Sequence, residues 1–341
     1  MKLSIIVPVY NMADGQKLTY CLDSLVNQTI SDYEIIAVDD CSTDSSFAVL
    51  QEYEKKYPEK VRAIHSDTNK KQGGAKNIGL SLAKGDWIGF MDADDWAAPD
   101  MYGKMLKKAE ETGADMVGCD YCLVSEHTME VGKIVPNNKK EQTGVLTHDQ
   151  YKSLILDSGS LVVKIYKREI ILGIDSRFPE HIFYEDNALA NTWMLRAHHF
   201  EYLEEPLYYY YQHEESTVHT INPKRLEDRM QAGRMMIEEA KRYGYLEEYR
   251  DEIEISFTIL FYVNTLFSYM IGCKNQKLSF IRRMGKEMKQ TFPNFTENPY
   301  YEKRVHPEER KLIGMQMKST LYFWTYYKLL WFYRNMRKCF K

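Results

Sequence analysis

The chain has little charge of one sign, no long apolar run and no cysteine framework. Its 45 Lys and Arg stand against 49 Asp and Glu, a formal net charge of -4. That balance sets up no overall field to draw a polyanion, so no nucleic-acid partner is expected and any basic surface has to be local. No window holds the roughly 18 uninterrupted apolar residues of a membrane span. No secretory leader precedes the first apolar strand, and there is no internal repeat or low-complexity tract. The six cysteines (Cys21, Cys41, Cys119, Cys122, Cys273 and Cys339) are scattered. Cys119 and Cys122 form a C-x-x-C inside a strand-like run, without the second ligand pair that a zinc site needs. A reducing cytoplasm is the expected compartment.

What is present is apolar surface. A hydrophobic share of 44% over 341 residues supplies enough of it to offset chain entropy, so a packed globule of two units is expected rather than a disordered chain. Strand and helix patterns alternate through the first hundred residues. LSIIVPVY, YEIIAVDD, VRAIHSD and DWIGFMD read as strands. LTYCLDSLVNQT, a stretch from a Ser42-Thr43-Asp44 cap to about Lys56, and GGAKNIGLSLA read as helices. Strict alternation implies a parallel sheet with crossover helices, the doubly wound α/β class. A helix after Pro99 and a strand around DMVGCDYC follow, then a Lys- and Asn-rich exposed loop over 132–143. HDQYKSLILDS and EDNALANTWML read as helices, SLVVKIYKREIILG between them as one run, and FEYLEEPLYYYYQH as a strand. Past Pro223 only helical patterns remain.

Asp39 and Asp40 end the second strand, and Asp92, Asp94 and Asp95 end the fourth. Ligands of open parallel sheets sit beyond the carboxyl ends of the strands, so two distant stretches bring negative charge to a binding edge. Clustered carboxylates repel one another unless a cation lies among them, and oxygen-only ligands favour Mg²⁺ or Mn²⁺ completed by phosphate oxygens. The ordinary alternative makes these residues turn formers and helix caps. It competes evenly for Asp95 and Asp100, but one cap needs one acceptor, and Asp92 and Asp94 overshoot that need.

IIVPVYN (5–11), AVDDCSTDSS (37–46), NKKQGGAKNIGLSLAKGDWIGFMDADD (69–95) and FYEDNALA (183–190) resemble the successive signature blocks of family 2 inverting glycosyltransferases of bacterial surface-polysaccharide type. The resemblance implies the GT-A fold, a doubly wound mixed α/β sheet over residues 1–221, with a helical region over 222–341. It implies a nucleotide pocket lined by Pro8, Val9, Tyr10 and Asn11, with Asp39 on the base or ribose and Asn69 close by. Lys76 stands where many relatives carry Arg, and keeps the charge for phosphate while losing the planar fork. Asp92-Ala93-Asp94 would be the D-x-D motif, with Asp94 the metal ligand, Asp92 shared between ribose and metal, and Asp95 a competitor for either role.

By the same resemblance Asp186 is the base that takes the acceptor hydroxyl proton, and Glu185 positions the acceptor or tunes its neighbour. Read alone, both suit the first turn of a helix, where acids meet the macrodipole. The stretch YYYYQHEESTVH offers His213, Ser216 and His219 for the metal or the diphosphate, although a histidine on a polar loop is often simply solvated. The implied reaction is a single inverting displacement from a nucleotide sugar, with UDP the expected nucleotide, to a glycan or lipid-linked acceptor. A non-catalytic nucleotide-sugar binder and a nucleotidyltransferase of related fold are the rival readings. Residues 317–341 hold six Lys or Arg, no acid and dense aromatics. That composition suits a helix lying on an anionic membrane, so peripheral attachment is one expectation and internal or homodimer packing the other.

Overall fold

The computed structural model describes residues 1–213 and 221–339, in two compact units, Met1–His219 and Thr220–Lys341. In the first unit the apolar runs become strands because β-branched and aromatic side chains fill both faces of a covered sheet. β1 (Leu3–Val9), α1 (Lys17–Val26), β2 (Tyr33–Asp39), α2 (Ser46–Lys56), β3 (Val61–His65), α3 (Lys71–Leu82) and β4 (Trp87–Phe90) alternate as the patterning requires. Every residue of β1 and of β2 is buried.

Then follow β5 (Trp96–Ala97), α4 (Met101–Thr112), β6 (Met116–Val124), β7 (Lys133–Val135), β8 (Gly144–Val145), α5 (His148–Leu156), β9 (Lys164–Lys167), α6 (Arg168–Leu172), α7 (Glu185–Met194) and β10 (His199–Tyr211). The sheet is mixed, in the order β3-β2-β1-β4-β9-β6-β10-β5, with β7 on β6 and β8 on β10. β1 runs parallel to both β2 and β4, while β9 enters antiparallel between β4 and β6. Val9 pairs with Asp39, and Asp39 with His65, so these strand ends share one edge.

Three local expectations change. Ser42 and Thr43 do not cap α2; they bond to Asn11, and the helix starts at Ser46, whose backbone N–H donates to Asp44 Oδ1 at 2.9 Å. The 132–143 stretch is not simply an exposed loop: it contains β7, and Asn138 and Gln142 are buried and joined at 3.1 Å. The run after residue 160 splits into β9 and α6. Cys119 and Cys122 are free and buried in β6.

Among its described residues the second unit is helical. It comprises α8 (Pro223–Arg242), α9 (Tyr245–Glu248), α10 (Arg250–Phe257), a π-helical segment (Thr258–Val263), α11 (Asn264–Gly272), α12 (Leu278–Thr291), α13 (Tyr301–Arg304), α14 (Pro307–Lys318) and α15 (Thr320–Cys339). The continuous stretch Arg250–Gly272 is long and apolar enough to cross a bilayer, with a mean hydropathy of 1.4, yet 61% of that window is buried. Phe257, Phe261, Tyr262 and Leu266 direct it into the unit's own core.

Candidate active site

The site grows from the edge where β1, β2 and β4 end. Asn11, two residues beyond β1, adopts a left-handed φ of 53°, a conformation that Asn tolerates better than most residues. There its side-chain Oδ1 accepts the Thr43 backbone N–H at 2.8 Å, while its own backbone N–H donates to Ser42 Oγ at 2.9 Å. Pro8 and Val9 belong to buried β1, and Tyr10 beyond them is exposed. Asp39 is fully buried, and its Oδ2 sits 2.8 Å from His65 Nδ1 and accepts the Ser42 N–H. Its Oδ1 has no partner. A buried acceptor left open is costly unless a ligand donor completes it. Asn69 spends its side-chain N–H on the Asp40 carbonyl, at 3.1 Å.

The third signature block folds as it does because α3 must press against its neighbours. A Cβ on Gly79 would stand 2.5 Å from Ile6 Cγ2, and one on Gly73 would stand 2.1 Å from the Pro179 carbonyl oxygen and 3.2 Å from Glu185 Cβ. Only hydrogen fits at either position. Asn77 then clips the 178–184 segment to α3. Its Nδ2 donates to the Phe178 carbonyl at 2.8 Å, and its Oδ1 accepts the Phe178 N–H at 3.0 Å. His181 and Tyr184 turn that segment through left-handed φ values of 64° and 65° into α7, whose first two residues are Glu185 and Asp186.

Close packing brings Lys76 Nζ within 2.6 Å of Glu185 Oε1, over the Phe178 ring. Both side chains are buried. Burial disfavours the ammonium, but Glu185, Asp92 and Asp186 outweigh it and hold the Lys76 pKa above its ordinary value. Asp92 shows the counterpart. Burial, opposed by Lys76 and reinforced by Asp94, Glu185 and Asp186, pushes its carboxyl up to about 7. Its Oδ1 is closed off from solvent without a hydrogen-bond partner. Asp186 is half-buried, and its Oδ1 accepts both the N–H and the side-chain amide of Asn187, at 2.9 and 2.8 Å.

Asp94 and His213, 119 residues apart, meet at 2.9 Å between Oδ2 and Nε2. The His213 ring stacks on Tyr211, and its Nδ1 is buried without a partner. Ala93 between the two aspartates is buried. Asp95 is turned toward β10. Its Oδ2 accepts Tyr208 O–H at 2.6 Å and its Oδ1 the Tyr211 N–H at 2.8 Å, so both oxygens are committed to holding β10. Ser216 and His219 lie outside the described residues.

Among the described residues no group of three or more His, Cys, Asp or Glu side chains forms a complete metal cage. Asp94 and His213 supply one carboxylate and one imidazole, a donor pair that suits Mn²⁺ completed by further ligands. His65 and Asn77 escaped the sequence reading. Each acts through a partner distant in the chain, and the only local signal was Asn77 directly after Lys76.

A family model described as Glycosyl transferase family 2 matches residues 4–164. The chain is 32% identical over 271 residues to the putative glycosyltransferase EpsH of Bacillus subtilis (strain 168), covering 76% of this chain and 74% of that one. The chain belongs to glycosyl transferase family 2. It is 33% identical over 221 residues to the uncharacterized glycosyltransferase YibD of Escherichia coli (strain K12), covering 63% of this chain and 62% of that one. A poly(ribitol-phosphate) beta-glucosyltransferase of Bacillus spizizenii is 33% identical over 214 residues, 62% of this chain. The chain spans only 32% of that longer relative, and just under two thirds of YibD.

Among solved structures, S. aureus TarS 1-349 in complex with UDP-GlcNAc superposes with a TM-score of 0.60 at 21% identity, over 94% of this chain and 91% of that one. The mannosyltransferase PcManGT from Pyrobaculum calidifontis, in complex with GDP-Man and Mn²⁺, gives 0.51 at 15% identity, over 96% and 87%. These likenesses show the fold, which is GT-A with a C-terminal helical region.

Proposed function

We propose that this family 2 member is a metal-dependent inverting glycosyltransferase. It moves a hexose or N-acetylhexosamine from a UDP-sugar to a hydroxyl of a glycan or lipid-linked glycan in cell-surface polysaccharide synthesis. The observation that carries the proposal is the buried Lys76–Glu185 pair, which ties α3 to the first turn of α7 and sets Asp186 in the same electrostatic field as Asp92.

In this reading the open Oδ1 of Asp39 accepts an N–H of the base, and His65 fixes the rotamer that leaves it open. Pro8, Val9, Tyr10, Asn11 and Asn69 shape the nucleotide pocket around it. Asp94 and His213 would hold Mn²⁺ or Mg²⁺, and Asp92 would serve the ion or the ribose. A bound ion of this kind supplies charge neutralisation to a departing nucleoside diphosphate. Lys76, compensated by Glu185, offsets the carboxylates of Asp92 and Asp186 from within the fold, where a preorganised charge acts without reorganisation. Asp186, held by Asn187 through Oδ1, accepts the proton of the attacking hydroxyl on the face opposite the leaving group, so the anomeric configuration inverts.

The test is sugar release from a panel of nucleotide sugars with Mn²⁺, run on the protein and on Asp186→Asn. Transfer should vanish in the variant while metal-dependent UDP binding stays measurable. Undiminished turnover in Asp186→Asn would overturn the base assignment. Binding without any turnover in the unaltered protein would favour a nucleotide-sugar binder, and pyrophosphate release a nucleotidyltransferase.

A further inference from the structure

The last helix of the second unit has two faces of opposite character. Phe323 and Tyr327 are buried, and Thr320 with them, where α15 packs on α12 and α14. The other side carries Leu321, Tyr322, Leu329, Phe332 and Met336, each between 43% and 64% exposed. At 3.6 residues per turn, positions 321, 325, 329, 332 and 336 fall in one stripe along a helix about 30 Å long. A stripe of that length on the outward side of a helix already packed through its inner face is not part of the unit's core. It is far larger than a scatter of single exposed apolar residues.

Cations border the stripe. Lys328 lies 5.7 Å from the centre of the Trp324 ring along one margin, and Lys311 of α14 lies 5.6 Å from the Tyr326 ring beside the other. Residues 317–341 contain six Lys or Arg and no acid. Arg334 is partly neutralised by Glu308 at 2.6 Å, whereas among the described residues Lys311 and Lys328 meet aromatic rings and form no ion pair. Aromatic and apolar side chains in the centre with lysines at the margins match the interface of an anionic bilayer. There rings and aliphatic groups enter the headgroup layer and ammonium groups meet lipid phosphates.

We propose that α15 is an interfacial anchor that lays its Leu321–Leu329–Phe332–Met336 stripe on an anionic lipid surface. A second copy of the chain fits this face less well. An isologous contact juxtaposes identical patches, so it would bring two copies of Lys311 and Lys328 together, with Glu308 already engaged by Arg334 on each copy. The anchor is independent of the sugar-transfer chemistry, and its test reads no turnover.

The test is co-sedimentation of the full chain with vesicles of phosphatidylcholine alone and of phosphatidylcholine with phosphatidylglycerol. The protein should sediment with the anionic vesicles and much less with the neutral ones, and added salt should weaken the association. Leu329→Ser combined with Phe332→Ser should lower the bound fraction roughly tenfold. Both side chains are exposed, so the melting transition should be unchanged. Lys328→Glu should selectively reduce binding to the anionic vesicles. Failure to sediment with anionic vesicles, or equal sedimentation of the double variant, overturns the proposal. So does a dimer seen by light scattering that the double variant converts to monomer, which would assign the stripe to a second copy.

Discussion

Lys76 and Glu185 stand 109 residues apart in the chain, yet their charged atoms lie 2.6 Å apart with 3% and 6% of their side chains exposed. Removing one member of such a pair leaves an uncompensated buried charge. Lys76→Met should therefore cost about 3–5 kcal/mol of unfolding free energy. Combining it with Glu185→Leu removes the stranded carboxylate and should restore most of that loss, while transfer remains absent. Urea unfolding of the two single variants and the double variant gives the coupling directly. A Lys76→Met protein as stable as the original would mean that Glu185 reaches water in the folded state.

Adjacent aspartates in the D-A-D-D stretch separate by the same logic. Asp95 uses both oxygens on the Tyr208 O–H and the Tyr211 N–H, whereas Asp94 meets His213 at a half-buried position. Asp95→Asn turns an NH₂ toward one of two donors, so it should cost about 1–3 kcal/mol and lower the melting temperature. Asp94→Asn removes one of several crowded carboxylates, so the fold should hold while Mn²⁺-dependent UDP affinity is lost. Thermal shift measured with and without Mn²⁺ and UDP separates the two. Equal loss of ligand response with no loss of stability in both variants would place Asp95 at the ligand after all.

What was legible in the sequence followed from periodicity. β1 to β4 and α1 to α4 announce themselves through apolar runs and helical spacing, and the acidic residues at the ends of β2 and β4 inherit their common edge from parallel pairing, whereas the two-residue β5 offers no pattern. The entry of β9 between β4 and β6 could not be read, since antiparallel insertion is decided by neighbours and not by the four residues of the strand. β7 hid in a polar stretch because it covers three largely exposed positions on one partner. The Asp95 clamp, the His65 support of Asp39 and the Asn77 clip were invisible for one shared reason. Each is a hydrogen bond between segments 26 to 116 residues apart, and no local pattern encodes its partner.

Lys164 carries a pH signature away from the candidate site. It lies in β9, is almost fully buried, and donates to the Ser158 and Ser160 carbonyls at 2.8 Å each. Carbonyls offer no full negative charge to hold the proton, and burial drives the Lys164 pKa down to about 7. In the unfolded chain it is about 10.4. Below about 7 both states keep the proton, and the whole cost of enclosing an ammonium group weighs on the fold. Between the two values only the unfolded chain holds it, so unfolding releases no proton but takes one up, and stability rises with pH. Above the upper value the contribution is constant. Lys164→Met removes the titration while leaving two carbonyls unpaired, so the stability difference between the original protein and the variant should grow in favour of the original across that window. The limiting slope is about 1.4 kcal/mol per pH unit. Urea unfolding of both proteins at several pH values from about 6 to 9.5 measures it, and a difference that stays flat would mean that Lys164 keeps its proton in the fold.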